Sequence, residues 1–354
     1  MYLGIIICLA AGALATWLGG LQHFVGSPML GLFLGIIIAN LAPAAFISAT
    51  KKGAGFSSKY LLKVGIILAG GTLSFKSILG VGLSALPLII FNICLSFLVA
   101  ALIGKAMGVS VNVRVLVGGG TAICGGTAIA TLTPIVDAEE HEMAYAMTAI
   151  FLFDILAALI WPYAAQAMNL SPEQYGILGG LAISDTSSVT AAGATFDAIM
   201  NGSSAVVGGE ALTGGDMAVI VKLTRTVMLV FVAIAVMAYS GIRKQHSSDA
   251  EAQDSKGGSF IRRVLKAFPL FVLGFLAMAI LNTFVGFSSI SIGSLSLSKL
   301  LSKGYKYLIS VALVGVGYKI KLSDLFTKGA KPVLLGGCTW LAVALSTLAY
   351  VLIF

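Results

Sequence analysis

The chain has 354 residues, of which 58% are hydrophobic and only 10% charged, with a formal net charge of +8. Soluble domains carry roughly 25% charged residues, so this chain cannot cover a water-facing surface, and a mean hydropathy of +1.01 makes lipid its main solvent. The basic residues stand between apolar runs and form no long patch, which argues against a nucleic-acid partner and reads as orientation toward anionic membrane lipid.

In chain order, Met1-Tyr2-Leu3-Gly4 lacks the basic start of a signal peptide and opens a first span. Eleven spans are predicted, over roughly 2–19, 28–48, 60–75, 83–104, 112–134, 143–166, 172–199, 216–241, 262–284, 303–320 and 331–353. At about 1.5 Å per residue each can cross a core of about 30 Å, the third and tenth only just. Cys8, Cys94, Cys124 and Cys338 all fall inside spans without CxxC spacing, so neither a disulfide framework nor a metal site is expected.

Lys51, Lys52, Lys59, Lys105, Arg114, Arg243, Lys244, Arg262, Arg263, Lys266, Lys319, Lys321, Lys328 and Lys331 fall on one side if the N-terminus is cytoplasmic and the C-terminus outside. This topology puts Asp137–Glu142 and Glu210 outside, with Lys76, Lys299, Lys303 and Lys306 as basic exceptions. Gln245–Gly258 is the long polar stretch and reads as a cytoplasmic tether.

Two internal similarities stand out. Lys59–Gly82 aligns without gaps with Lys306–Gly329, an odd number of spans later, which is the mark of inverted repeats in secondary transporters. Thr121–Thr131 (TAICGGTAIAT) parallels Leu181–Ala191 (LAISDTSSVTA), and Glu142-Met143-Ala144 parallels Asp216-Met217-Ala218. Counted by spans, this second pair is parallel instead of inverted. Either one segment is re-entrant or the match is convergent.

The chemistry gathers in the same segments. Gly118-Gly119-Gly120 and Gly125-Gly126 interrupt span five, where each glycine costs about 1 kcal/mol relative to alanine in a helix. Small residues that let helices pack closely are the simpler reading, but clustered glycines suit a break better. In span seven, Ser184-Asp185-Thr186-Ser187-Ser188 is a run of capping residues and predicts a helix N-terminus inside the membrane, with N–H groups that suit an anion. Cys124, Asp154 and Asp185 each lie near the middle of their spans. Lys222 and Arg225 lie about 9 and 14 Å beyond Asp216 on one helix face. A charge at that depth costs at least about 2.5–3.5 kcal/mol and needs a partner or a watery cavity. Mutual neutralisation of Lys222 or Arg225 by Asp185 or Asp154 is the bland account. The sharper one makes Cys124, Gly125, Gly126, Thr127, Asp185, Thr186, Ser187, Ser188, Lys222 and Arg225 the substrate site, with Asp154 or Asp185 coupling to H+ or Na+.

The segments GGGTAICGGTAIATLTPIVDA (118–138), AIFLFD (149–154), GGLAISDTSSVTAAGA (179–194) and VKLTRT (221–226) resemble the YeiH-like sulfate exporter family. That family looks related to the cation–proton antiporter and bile-acid symporter superfamily. The resemblance implies one transporter domain of a bacterial inner membrane and a homodimer. It also implies a panel (1–82 and 262–329), a core (83–241 and 330–354) joined through the linker 242–261, and discontinuous helices crossing near the midplane. An amide often stands at the Asp154 position in that family, and this chain departs there.

The expected class is therefore an all-α polytopic membrane protein, and the expected function is ion-coupled secondary transport of a small inorganic or organic anion. Sodium–proton exchange through Asp154 and Asp185 is the alternative, and a channel the second. An enzyme is not expected: His23, His141 and His246 lie near interfaces or in the linker, away from any serine nucleophile. No cofactor is expected beyond the coupling ion.

Overall fold

The computed structural model describes residues 1–21, 26–246, 270–292, 295–318 and 330–354. The polar tether beyond His246, the start of the ninth expected span and the stretch 319–329 of the second repeat copy lie outside the described residues.

The first helix, α1 (Tyr2–Leu21), is 20 residues long, about 30 Å. The next, α2 (Ser27–Leu41), stops before Pro43, whose ring disfavours helix at the residue ahead of it. From there α3 (Ala44–Phe56), a π turn (Ser57–Leu61) and α4 (Leu62–Gly70) run on without a break, every junction residue staying in the right-handed helical region. The expected boundary between spans two and three therefore moves back to this proline. Helix α5 (Phe75–Ala106), capped by the Ser74 side chain, extends over 32 residues and tolerates Pro87.

The two interrupted segments turn back on themselves. Helix α6 (Val111–Ala122) ends at Ile123-Cys124-Gly125, and α7 (Gly126–Leu132) returns alongside it. A Cβ on Gly120 would meet Ile129 Cδ1 at 3.0 Å, and one on Gly119 would meet Leu132 Cδ1 at 2.3 Å. Gly125 makes the reversal at φ +64° and ψ −117°, which residues with a Cβ rarely adopt. Helix α8 (Glu140–Ala167) then starts beside the start of α6, where Glu142 accepts from Ser110 Oγ at 2.5 Å and Asn112 Nδ2 at 3.0 Å.

Helix α9 (Pro172–Ala182) and α10 (Thr186–Ile199) form the second such hairpin. Tyr175, in the first turn of α9, stacks on Phe196, near the end of α10, with ring centroids 3.8 Å apart and planes 2° from parallel. Strands β1 (Ser204–Val207) and β2 (Glu210–Thr213) pair antiparallel beyond it. Helix α11 (Gly214–Val227) then departs from the same end, with Gly215 against Gly193 and Met217 against Gly176, and α12 (Leu229–His246) carries it onward.

Spans five and seven thus do not cross, because each reverses at its break. The 28 residues of α8, about 42 Å, separate the two hairpins, which enter from opposite ends. The two hairpins therefore start from opposite ends of α8, where span counting would have both segments run the same way. Asp137–Glu142 also moves to the same end as Lys105 and Arg114, whereas counting eleven crossings puts them on opposite sides.

The rest comprises α13 (Leu270–Val285), the short strands β3 (Ser291–Ile292) and β4 (Leu295–Ser296), α14 (Leu297–Gly317) and α15 (Ala330–Ile353). Helix α14 packs on α1, α2, α3 and α4, and α13 packs on α4. A second group has α5 against α6, α11 and α15, with α8 and α9 also against α15. Contact between α2 and α14 depends on small residues: a Cβ on Gly35 would lie 2.2 Å from Val314 O, and one on Gly317 2.4 Å from Leu32 O. Tyr2–Leu21, Phe75–Ala106, Glu140–Ala167, Gly214–Ser240 and Ala330–Ile353 are each long and apolar enough to cross a bilayer. The chain is a multi-pass, all-α membrane protein.

Candidate functional site

A helix that ends inside the protein leaves its last carbonyls without partners, and lipid supplies none. Here two helices, α6 and α9, end face to face, and α11 answers both. Arg225 donates from Nε to Ala122 O at 2.5 Å, from Nη1 to Leu181 O at 2.7 Å and from Nη2 to Thr121 O. Lys222 donates to Ile123 O at 2.5 Å and Ile183 O at 3.1 Å. The indole of Trp340 on α15 completes the set by donating to Ala182 O at 2.9 Å.

Both cations are buried, Lys222 with 0% and Arg225 with 1% of its surface exposed. The arrangement that makes this tolerable is the negative end of two helix dipoles plus direct hydrogen bonds. Their i,i+3 spacing puts both on the face of α11 turned to the tips. Neither lines the cavity, and among the described residues neither forms an ion pair with Asp154 or Asp185: the one contact there within ion-pair distance is His141 to Glu139 at 3.1 Å.

The carboxylates work on the other side of the tips. Asp154, on α8, accepts at Oδ1 from Ser184 N at 2.6 Å, while its Oδ2 is buried with no hydrogen-bond partner among the described residues. Asp185 is the N-cap of α10 and accepts from Ser187 N at 2.8 Å, Ser188 N at 3.2 Å and the Ser187 hydroxyl. The amino end of α10 is therefore already occupied by its own capping carboxylate, where the sequence suggests free N–H groups. Ser184 Oγ also reaches Thr121 O at 3.4 Å, tying one tip to the other.

A cavity of about 470 Å³ opens onto this junction. Its lining contains Cys124, Gly126 and Thr127 from the first tip, Asp185, Thr186, Ser187 and Ser188 from the second, and Asp154 and Thr226. Gly125 is at the turn without lining the cavity. Across from the tips stand Ser58, Lys59, Leu62, Lys63 and Ile66 of the continuous α3–α4 helix. From the sequence neither lysine is expected to have a binding role: Lys59 stands there as an orientation signal, and Lys63 falls within the third predicted span and the Lys59–Gly82 repeat. A second cavity, of about 290 Å³, lies at the other end, with Asp197, Asp216 and Lys306 in its wall. Ile66 lines both.

A multi-pass helical membrane protein whose two re-entrant tips meet at a cavity with buried carboxyl and hydroxyl groups in a largely apolar wall is the class that fold and site define. Comparison with known proteins names the family. The family described as conserved hypothetical protein 698 matches residues 3–336. A UPF0324 membrane protein of Streptococcus pyogenes serotype M3 is 34% identical over 98% of this chain and 95% of its own length. One from Fusobacterium nucleatum is 33% identical over 97% and 95%, and one from Streptococcus agalactiae serotype V is 34% identical over 98% and 95%. The chain belongs to this UPF0324 family, the YeiH-like family that its motifs resemble. No solved structure matches it.

Proposed function

We propose that the chain is a secondary transporter of a small anion, sulfate or another sulfur-containing anion, coupled to H+ or Na+ and working by alternating access. The observation that carries this is the cavity at the two tips, which Asp154 lines together with Thr127, Thr186, Ser187 and Ser188, while one oxygen of that buried carboxylate has no hydrogen-bond partner among the described residues. Such an oxygen costs roughly 1–3 kcal/mol if nothing ever binds it, so a proton or cation there is the reading that accounts for it. Two cavities at opposite ends, sharing Ile66 as a wall residue, supply the two approaches that alternating access needs. In this reading α1–α4, α13 and α14 form the panel, and α5–α12 with α15 form the core that moves. Lys222 and Arg225 act as positioning residues that hold the tips together. The sulfur-containing class rests on family resemblance.

Sodium–proton exchange is the second reading, favoured by the presence of both Asp154 and Asp185 in the lining. Proteoliposomes separate the two. Anion transport predicts saturable counterflow of labelled sulfate or sulfite that responds to an imposed pH or sodium gradient. Sodium-driven pH change with no anion requirement would replace it with the exchanger.

A further inference from the structure

The anion reading raises a question of charge. The two cations that the motifs place at the tips are committed to backbone carbonyls behind them. The ionisable groups in the cavity lining include two carboxylates, Asp154 and Asp185. A cavity holding those alone would repel an anion. Among the described lining residues the only cations are Lys59 and Lys63, both from the opposite helix group.

We infer that Lys59 and Lys63 are the residues that bind the anion, which is held between their ammonium groups and the hydroxyl-lined tip at Thr186–Ser188. This rests on the transporter reading and adds to it the source of the positive charge. Three observations support it. Lys59 and Lys63 are four residues apart, so they share one helix face with Gly55, Leu62 and Ile66, all of which line the cavity. Lys59 lies within the π turn Ser57–Leu61, and such turns occur preferentially at functional sites because the wider turn shifts the register of the residues around it. Both side chains are exposed, and their charges have no ion-pair partner among the described residues, Lys59 lying only over the Tyr60 ring at 5.6 Å. Lysine is chemically suited to such a role, because its ammonium is a compact charge on a flexible stem with three donors, able to follow a ligand whose site moves.

The competing account is that these lysines only serve anionic lipid headgroups, the role the sequence suggests for Lys51 and Lys52, which lie on the same helix outside the cavity. The test measures sulfate binding by calorimetry to the full chain in detergent free of anionic lipid. K59Q/K63Q should weaken sulfate roughly tenfold or more, the loss of two charge-assisted contacts, with an unchanged melting temperature in the absence of ligand. K59R/K63R and K51Q/K52Q should stay close to wild type. Binding by K59Q/K63Q equal to wild type would overturn the inference while leaving the transporter reading in place. Equal weakening by K51Q/K52Q would also overturn it, since a general field would then suffice. So would a phosphatidylglycerol-dependent melting shift that K59Q/K63Q abolishes while sulfate binding is untouched. A wild-type protein that binds neither sulfate nor sulfite would remove the sulfur-anion reading and this inference with it.

Discussion

The backbone N–H of Ser184, at the tip of the second hairpin, donates to Oδ1 of Asp154 on α8 at 2.6 Å, and the other oxygen of that carboxylate has no partner among the described residues. One oxygen therefore holds the tip in place, and the other is the one that, in the transport reading, takes up the coupling ion. The substitutions D154N and D154A separate these roles. An amide keeps an acceptor for Ser184 but cannot take up or release a proton. We expect D154N to fold and melt like wild type and to lose the pH dependence of transport that belongs to this group. D154A should in addition lose about 1–3 kcal/mol of stability from the orphaned Ser184 N–H. Flux at several pH values, together with melting in detergent, checks both. Unaltered pH dependence in D154N would remove Asp154 from coupling.

Arg225 and Lys222 are predicted to be required for the tips to exist, before any question of substrate. R225A leaves the carbonyls of Ala122 and Leu181 without their side-chain donor and Thr121 O with only the long contact from Ser184 Oγ. At roughly 1–3 kcal/mol for each buried unpaired group, the loss should be on the order of 3 kcal/mol or more. K222M, similar in shape, should cost about 2 kcal/mol through Ile123 and Ile183. Limited proteolysis should find residues 118–127 and 183–189 newly accessible in both. Variants that melt like wild type and fail only in anion binding would instead make these residues direct ligands.

The stack of Tyr175 on Phe196 gives a geometric test of the second hairpin. In a cysteine-free background, Y175C/F196C should cross-link on mild oxidation or with a short bifunctional reagent. Were 172–199 one continuous span, the same positions would lie on the order of 30 Å apart. No such reagent would then join them.

Much of this site is legible in the sequence, for physical reasons. The glycine pairs around Cys124 and the capping run at Asp185 announce breaks because helices tolerate neither cheaply, and both breaks stand where expected. The clustering of Asp154, Asp185, Lys222 and Arg225 at one depth is likewise readable from the cost of buried charge. The direction of the chain after each break is not. A helix end carries no local mark that says whether the next helix goes on or turns back. Only tertiary contacts such as Glu142 with Ser110 decide it. For the same reason Lys222 and Arg225 look like anion ligands in sequence, although the carbonyl ends they satisfy exist only once both hairpins have closed. Lys59 and Lys63 are hidden by the opposite problem: near a membrane surface, a lysine in a binding wall looks like any orientation signal.

The tips, the cavity and the transport reading all depend on the two hairpins entering from opposite faces, and side-specific labelling tests that most directly. Single cysteines at Lys105, His141, Glu173 and Glu210 in the cysteine-free chain would be exposed to an impermeant maleimide from one face of oriented vesicles, then from the other. Opposed hairpins predict that positions 105 and 141 react from the same face and that 173 and 210 react from the opposite one. Labelling of 105 and 141 from opposite faces would mean that residues 111–132 cross the membrane, which would contradict the tips, the cavity and the function built on them.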